Sequence, residues 1–194
     1  MKRIKKFWRW LWDSNSILSW IVLVVLAFLF VKFIFFPFFG FILKTSMPFV
    51  IVESYSMQHC YGIEKNVFWH CNFDKYWENY KDWYVERNIS KEDFIKFSFK
   101  DGLDAGDIAV LKGKKEYEIG DIIVFVVERR PIIHRIVTKK CEEKCVYGTK
   151  GDNNLVQINF EKEISQEQIV GKVIFVIPKL GWIKLLPYKI LGLV

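Results

Sequence analysis

Residues 17–31 read ILSWIVLVVLAFLFV without a charge, and after Lys32 the apolar run resumes as FIFFPFFGFIL to Leu43. At 1.5 Å per residue the stretch 17–43 is long enough to span a bilayer with tilt. Lys32 is expected to snorkel toward the far interface or to lie on a protein-facing side. Pro37 and Gly40 predict a kink or the helix end. The pattern then changes. VIVES is β-branched and apolar, which predicts a strand ending near Ser54 and Ser56. In NFDKYWENYKDWYVERN, Phe73, Trp77, Tyr80 and Tyr84 recur at helical spacing and make one aromatic stripe. Ser90, with Asp93 three residues on, has the form of a helix start.

From residue 103 the period becomes two. IAVLKG, IIVFVVE, IIHRIVT, VYGTKG and IVGKVIFVIP are separated by turn residues, and Gly106-Asp107 and Gly120-Asp121 open two of them. This series predicts a β-barrel or sandwich in which the two Gly-Asp starts use the same turn chemistry. The ending after Gly181 is apolar but too short to cross a membrane. It predicts either a tail lying on the domain or an interfacial foot with Trp182 and Tyr188 at headgroup level. The chain thus divides into a basic N-terminus (1–16), a transmembrane anchor (17–43), a mainly β domain (44–181) carrying a small helical insertion (61–100), and an apolar tail (182–194).

The composition sharpens two of these assignments. Of 194 residues 52% are hydrophobic and 18% aromatic, a richness that fits membrane contact. The formal net charge is +7, but Lys2, Arg3, Lys5, Lys6 and Arg9 crowd the first ten positions. The rest is only weakly basic, with no Lys/Arg stripe interleaved with aromatics, so a nucleic-acid partner is not expected. Basic residues before the anchor predict a cytoplasmic N-terminus and a domain outside the cytoplasm. No small-x-small cleavage site follows the apolar run, so an uncleaved anchor is expected rather than a removed signal peptide.

Three histidines carry the candidate chemistry: His59, His70 and His134. In IIHRIVT, alternation puts Ile132, His134, Ile136 and Thr138 on one face, where a polar ring needs a partner or a task. Downstream lies Lys150-Gly151-Asp152-Asn153-Asn154, which taken alone is an ordinary polar turn. Ser56, His134 and Asp152 together supply the three roles of acyl transfer: nucleophile, base and orienting carboxylate. Activity is then expected to fall on acidification, because a protonated imidazole cannot act as base. The pairs His59-Cys60 and His70-Cys71 offer a rival, tetrahedral zinc site. An oxidising compartment favours disulfides instead, expected as Cys60–Cys71 and Cys141–Cys145, each closing a local loop. Asn88-Ile89-Ser90 matches a glycosylation sequon.

SYSM after an apolar anchor, then GDIIVF, PIIHRIV and TKGDNN, in that order, resemble the type I signal peptidases. The histidine form is similar to the archaeal and endoplasmic-reticulum branch. The resemblance covers the anchor, residues 50–60 and about 103–181, and leaves out 61–100. It implies a β-rich, signal-peptidase-like barrel with its active site near the membrane surface. It implies Ser56 as nucleophile, His134 as general base, Asp152 at an acidic position important to the family, and Ser54 with the Ser56 amide as oxyanion donors. Met57 matches the methionine that follows the nucleophile. Two positions depart from the family pattern: His59 stands where a proline is usual, and Ile158 where the branch keeps a second aspartate. Asp121 and Asp107 are therefore alternative candidates for the acid. The implied activity is a membrane-bound serine endopeptidase that removes signal peptides from preproteins, beside the lipid bilayer and the protein translocation machinery, with no metal or other cofactor. The competing readings are a non-catalytic anchored β-domain that binds a partner through the aromatic insertion, and a metal-binding extracellular module.

Overall fold

In a computed structural model describing residues 2–14, 16–59 and 73–191, the apolar stretch forms one continuous helix, Ile17–Leu43. Its 27 residues, none of them buried in the most apolar window, are long and apolar enough to cross a membrane. The helix begins as α2 (Ile17–Phe30), preceded by α1 (Lys2–Asp13). It widens into a π-turn at Val31–Phe35 and continues as α3 (Phe36–Leu43). Pro37 has no N–H to give and its ring crowds the preceding turn. The widened turn, in which Phe36 N–H reaches back to Val31 O, accommodates it. The helix therefore does not end at Pro37 or Gly40. The chain forms two compact units, Met1–Ile42 and Leu43–Val194.

The second unit is built on one seven-stranded antiparallel sheet. Its strands are β1 (Phe49–Ile51), β2 (Ile108–Lys112), β3 (Ile122–Val127), β4 (Arg130–Cys141), β5 (Cys145–Lys150), β6 (Ile164–Ser165) and β7 (Ile169–Ile177), in the order β1-β2-β7-β3-β4-β5-β6. Central β3 is buried on both faces. Ile122 and Val124 pack with Val52, Met57, Leu103 and Leu111, while Ile123 and Phe125 pack with Tyr117, Ile136, Tyr147 and Ile164. That double burial is why IIVFVV reads as a continuous apolar run.

Both Gly-Asp starts make the same turn. Asp107 Oδ2 accepts from Asp104 N, and Asp121 Oδ2 accepts from Glu118 N. Gly106 and Gly120 have φ of +87° and +94°, where a side chain would be strained and would also strike Trp182 or Phe97. Cys141 and Cys145 are joined by a disulfide across the β4–β5 hairpin; the expected Cys60–Cys71 pair lies outside the described residues.

One alternation does not survive. The β4–β5 register shifts between Ile136 and Thr138, because Val137 is an extra residue opposite β5. Thr138 is thereby turned to the face opposite His134 and Ile136. Val137 joins a third core formed by α4 (Phe73–Val85) and α5 (Lys91–Ile95). Ser90 caps α5 in a reciprocal pair with Asp93, as the sequence predicts. The buried aromatics of α4 are Tyr76, Trp77, Tyr80 and Tyr84, so the buried face is wider than the predicted stripe and includes Tyr76. The C-terminal stretch is a helix, α6 (Trp182–Ile190), with Leu185 buried and Ile183 and Leu186 exposed.

Phe94 is fully buried, with the rings of Tyr76, Trp77 and Tyr84 at 5.0–5.8 Å and the Arg135 guanidinium 5.0 Å from its centroid. Phe94→Ala is expected to lower unfolding stability by about 3–5 kcal/mol in a denaturant titration. A loss under about 1 kcal/mol would mean that the insertion does not share a core with β4.

Candidate active site

The chain leaves the sheet after Ile51 and is pegged on both sides of the serines. Val52 is buried, donates its N–H to Asp107 O at 2.9 Å and accepts from Gly106 N at 2.8 Å. Met57 is also buried, and its carbonyl accepts from Leu103 N at 3.0 Å. Between these pegs a tight turn, closed by Gln58 N–H to Tyr55 O at 3.1 Å, presents Ser56. Asn153 fixes the same turn from across the molecule, donating its N–H to Ser56 O at 2.8 Å and its side-chain amide to Tyr55 O at 3.3 Å.

His134 lies on β4 opposite Ile123 of β3, so ladder pairing fixes its backbone. Its Nε2 is 3.0 Å from Ser56 Oγ. Its Nδ1 is hydrogen-bonded to Glu161 Oε1. Glu161 is fully buried in the short 3₁₀ turn Asn159–Glu161, and its Oε2 accepts from Ile158 N at 2.8 Å. With Glu161 ionised, a carboxylate that only accepts, Nδ1 carries the ring proton. Nε2 is then bare and accepts from the Ser56 hydroxyl. Ser54 Oγ lies 3.0 Å from Ser56 Oγ. The three groups border a cleft of about 170 Å³ between Val50–Ser54 and Pro131–His134.

Asp152 is near this constellation but makes different bonds. Its two oxygens accept from Arg135 Nε at 2.9 Å and Arg135 Nη2 at 2.7 Å, and Oδ2 also contacts His59 Nε2 at 3.1 Å. Burial tends to raise its pKa, but the Arg135 guanidinium, with hydrogen bonds from His59 and Arg135, holds the carboxyl well below its ordinary value. His59 is itself buried, which lowers its pKa against the pull of Asp152, and its ring stacks on Tyr76 at 3.5 Å. Arg135 is fully buried and spends its remaining donors on Ser98 O, Phe99 O and Gly120 O.

Opposite Arg135 on β5 is Lys150, also fully buried. Its ammonium donates to the carbonyls of Gly151, Asp152 and Asn154 at 2.7–3.2 Å and lies about 5 Å from the Tyr80, Trp83 and Tyr84 ring centres. Burial pushes its pKa down to about 8. The insertion grips the same turn. Tyr76 donates to Asp152 O at 3.1 Å, and Tyr80 donates to Asn153 Oδ1 at 2.8 Å.

The structure therefore brings Ser54, Ser56 and His134 together and sets Glu161, which the motifs do not indicate, on the ring nitrogen expected to face Asp152. Asp107 and Asp121 serve their turns. Asp107 also accepts from Lys179 N, and Asp121 pairs with Lys172. Among the described residues no cluster of three His, Cys, Asp or Glu is placed to hold a metal ion. Cys60, His70 and Cys71 lie outside them.

No protein-family model matches the chain. Over 100 residues it is 31% identical to the signal peptidase complex catalytic subunit sec11 of Sclerotinia sclerotiorum, a match covering 46% of this chain and 58% of that protein. The chain thus spans a little over half the length of the curated relative it matches. Over those 100 residues the chain is similar to a signal peptidase subunit.

Removing one member of a buried, hydrogen-bonded ion pair leaves the other charge uncompensated. Asp152→Asn is expected to cost about 3–5 kcal/mol of stability at neutral pH. In the wild type this contribution is complete above the unfolded carboxyl value of 3.8 and is lost as pH falls toward the depressed folded value. Urea titrations of both proteins from neutral to strongly acid pH measure the difference. A gap that is small at neutrality, or that widens on acidification, contradicts the assignment.

Proposed function

We propose that this protein is a membrane-anchored serine endopeptidase that removes N-terminal signal peptides from translocated proteins, with Ser56 as nucleophile, His134 as base and Glu161 as the carboxylate that orients it. The observation that carries this reading is the continuous hydrogen-bonded chain Ser56 Oγ–His134 Nε2, His134 Nδ1–Glu161, which borders an open cleft. The partial similarity to a signal peptidase catalytic subunit supports the choice of substrate class.

In the proposed cycle, Ser56 Oγ attacks the scissile carbonyl carbon while its proton passes to His134 Nε2. The resulting imidazolium is stabilised by Glu161, and the oxyanion is held by the Ser56 amide with the Ser54 hydroxyl. Such donors contribute roughly 3–4 kcal/mol to the transition state. His134 then returns the proton to the leaving amine. Water, deprotonated by the same ring, attacks the acyl ester and frees Ser56. Asp152 acts at one remove: with Arg135 it holds the turn whose Asn153 N–H grips Ser56 O.

The anchor gives the site a location. Residues 17–43 in the bilayer, with the basic N-terminus in the cytoplasm, keep the domain within a short tether of membrane-emerging substrates and raise their effective concentration.

The test uses purified full-length protein in liposomes and a radiolabelled secretory precursor. Ser56→Ala is expected to reduce processing by about 10⁴-fold or more. Glu161→Gln preserves shape and the cap on Ile158 N, but its amide faces Nδ1 with a donor and selects the wrong tautomer. A loss of about 10³–10⁴-fold is expected in kcat, with KM little changed. Undiminished processing by Ser56→Ala removes the serine mechanism. Undiminished processing by Glu161→Gln alone removes only the role of Glu161.

A further inference from the structure

Helix α1 has no part in the chemistry above, yet its sequence is strongly two-sided. Ile4, Phe7, Trp8, Leu11 and Trp12 recur at i, i+3, i+4, i+7 and i+8, which places them on one face of the helix. Arg3, Lys5, Lys6 and Arg9 fall on the remaining surface and are exposed. Of the apolar face, Leu11 is buried, but Ile4, Phe7, Trp8 and Trp12 are 43–68% exposed. Aromatic side chains opposed to Lys and Arg, on a helix without acidic residues until Asp13, form the pattern of a helix that lies in the plane of a membrane interface.

Connectivity identifies what covers that face. α1 ends at Asp13 and the membrane-crossing helix begins at Ile17. Hydrogen bonds among Ser14, Ser16 and Ser19 link the two helices. Ser14 N–H continues the α1 ladder to Trp10 O, and the buried Ser19 hydroxyl contacts Ser14 O at 2.9 Å and Ser16 O at 2.7 Å. Ser16 Oγ accepts from Leu18 N to start the second helix. A helix joined this closely to the end of a bilayer span starts within reach of the headgroup layer. Lying in that layer, it would offer its apolar face to the acyl boundary and its cations to lipid phosphates.

We propose that α1 is an interfacial helix that binds anionic phospholipid and sets the depth at which the anchor sits. The inference rests on Ile17–Leu43 crossing the bilayer, and not on the peptidase chemistry. Trp8 and Trp12 embed the helix, while Lys5, Lys6 and Arg9 select the anionic surface, an attraction that falls off with added salt.

Hydrogen–deuterium exchange on the full-length protein in nanodiscs tests this. Discs are made of phosphatidylcholine alone or of phosphatidylcholine doped with phosphatidylglycerol. Amides of residues 2–13 are expected to exchange roughly tenfold or more slowly in the doped discs, and to lose that protection at high salt. The triple variant Lys5→Glu, Lys6→Glu, Arg9→Glu is expected to lose it as well, as is Trp8→Ser with Trp12→Ser, which keeps every cation. Residues 17–43 stay protected in every case; rapid exchange there would remove the membrane span itself. Equal protection of 2–13 in both lipids overturns the anionic preference. Rapid exchange in both assigns the exposed face to a protein partner and overturns the proposal. Protection that survives the double tryptophan change overturns the embedding.

Discussion

The domain depends on a salt bridge that no water reaches. Arg135 and Asp152 are both fully buried and meet through two hydrogen bonds. Such a pair carries a desolvation cost that only good geometry and full satisfaction of its other donors can offset. Here the offset is spread over the molecule. The guanidinium also binds Ser98 O and Phe99 O, just after α5, and Gly120 O, just before β3, while the carboxylate receives His59. One ion pair thus ties β4, the insertion, the second Gly-Asp turn and the turn at residues 151–154 to a common point.

The proposed catalytic group is the neighbour of that point. His134 and Arg135 are adjacent on β4 and alternate across the sheet, so the ring faces the cleft and the guanidinium faces the insertion. The two carboxylates divide correspondingly. Glu161 meets the ring on one side. Asp152 holds the other side, and through Asn153 it steadies the backbone of Ser56. The insertion, which lies outside the family resemblance, acts on the same turn through Tyr76, Tyr80 and the aromatic cradle around Lys150. The cleft is in this way backed by a wall of buried, hydrogen-bonded side chains.

Much of the fold was legible in the sequence because its strands keep strict turn chemistry and its core strand is continuously apolar. The long apolar helix was legible from hydropathy, and the meeting of Ser56 with His134 from ordered motifs. Glu161 was not legible. It sits in a single 3₁₀ turn with no periodicity, and only its fold brings it to the ring. Arg135 gave a weaker signal, since an arginine in an apolar strand requires a buried partner, and Asp152 is that partner rather than the partner of His134. Thr138 was misplaced because one bulge residue, Val137, shifts the period of two. Tyr76 was missed because the aromatic face of α4 is wider than one stripe. α1 was hidden because its five cations read as a charged tail, and α6 because its interior Pro187 reads as a helix breaker.

The central claim is that Ser56 forms a covalent acyl intermediate within a histidine-assisted cleft. Rapid acid quench of the full-length protein turning over a secretory precursor, followed by peptide mass spectrometry, measures it directly. The account predicts an ester joining the C-terminal residue of the released signal segment to the peptide that contains Ser56. Cleavage at full rate, with that peptide unmodified at every quench time and the ester found on another residue, would contradict it.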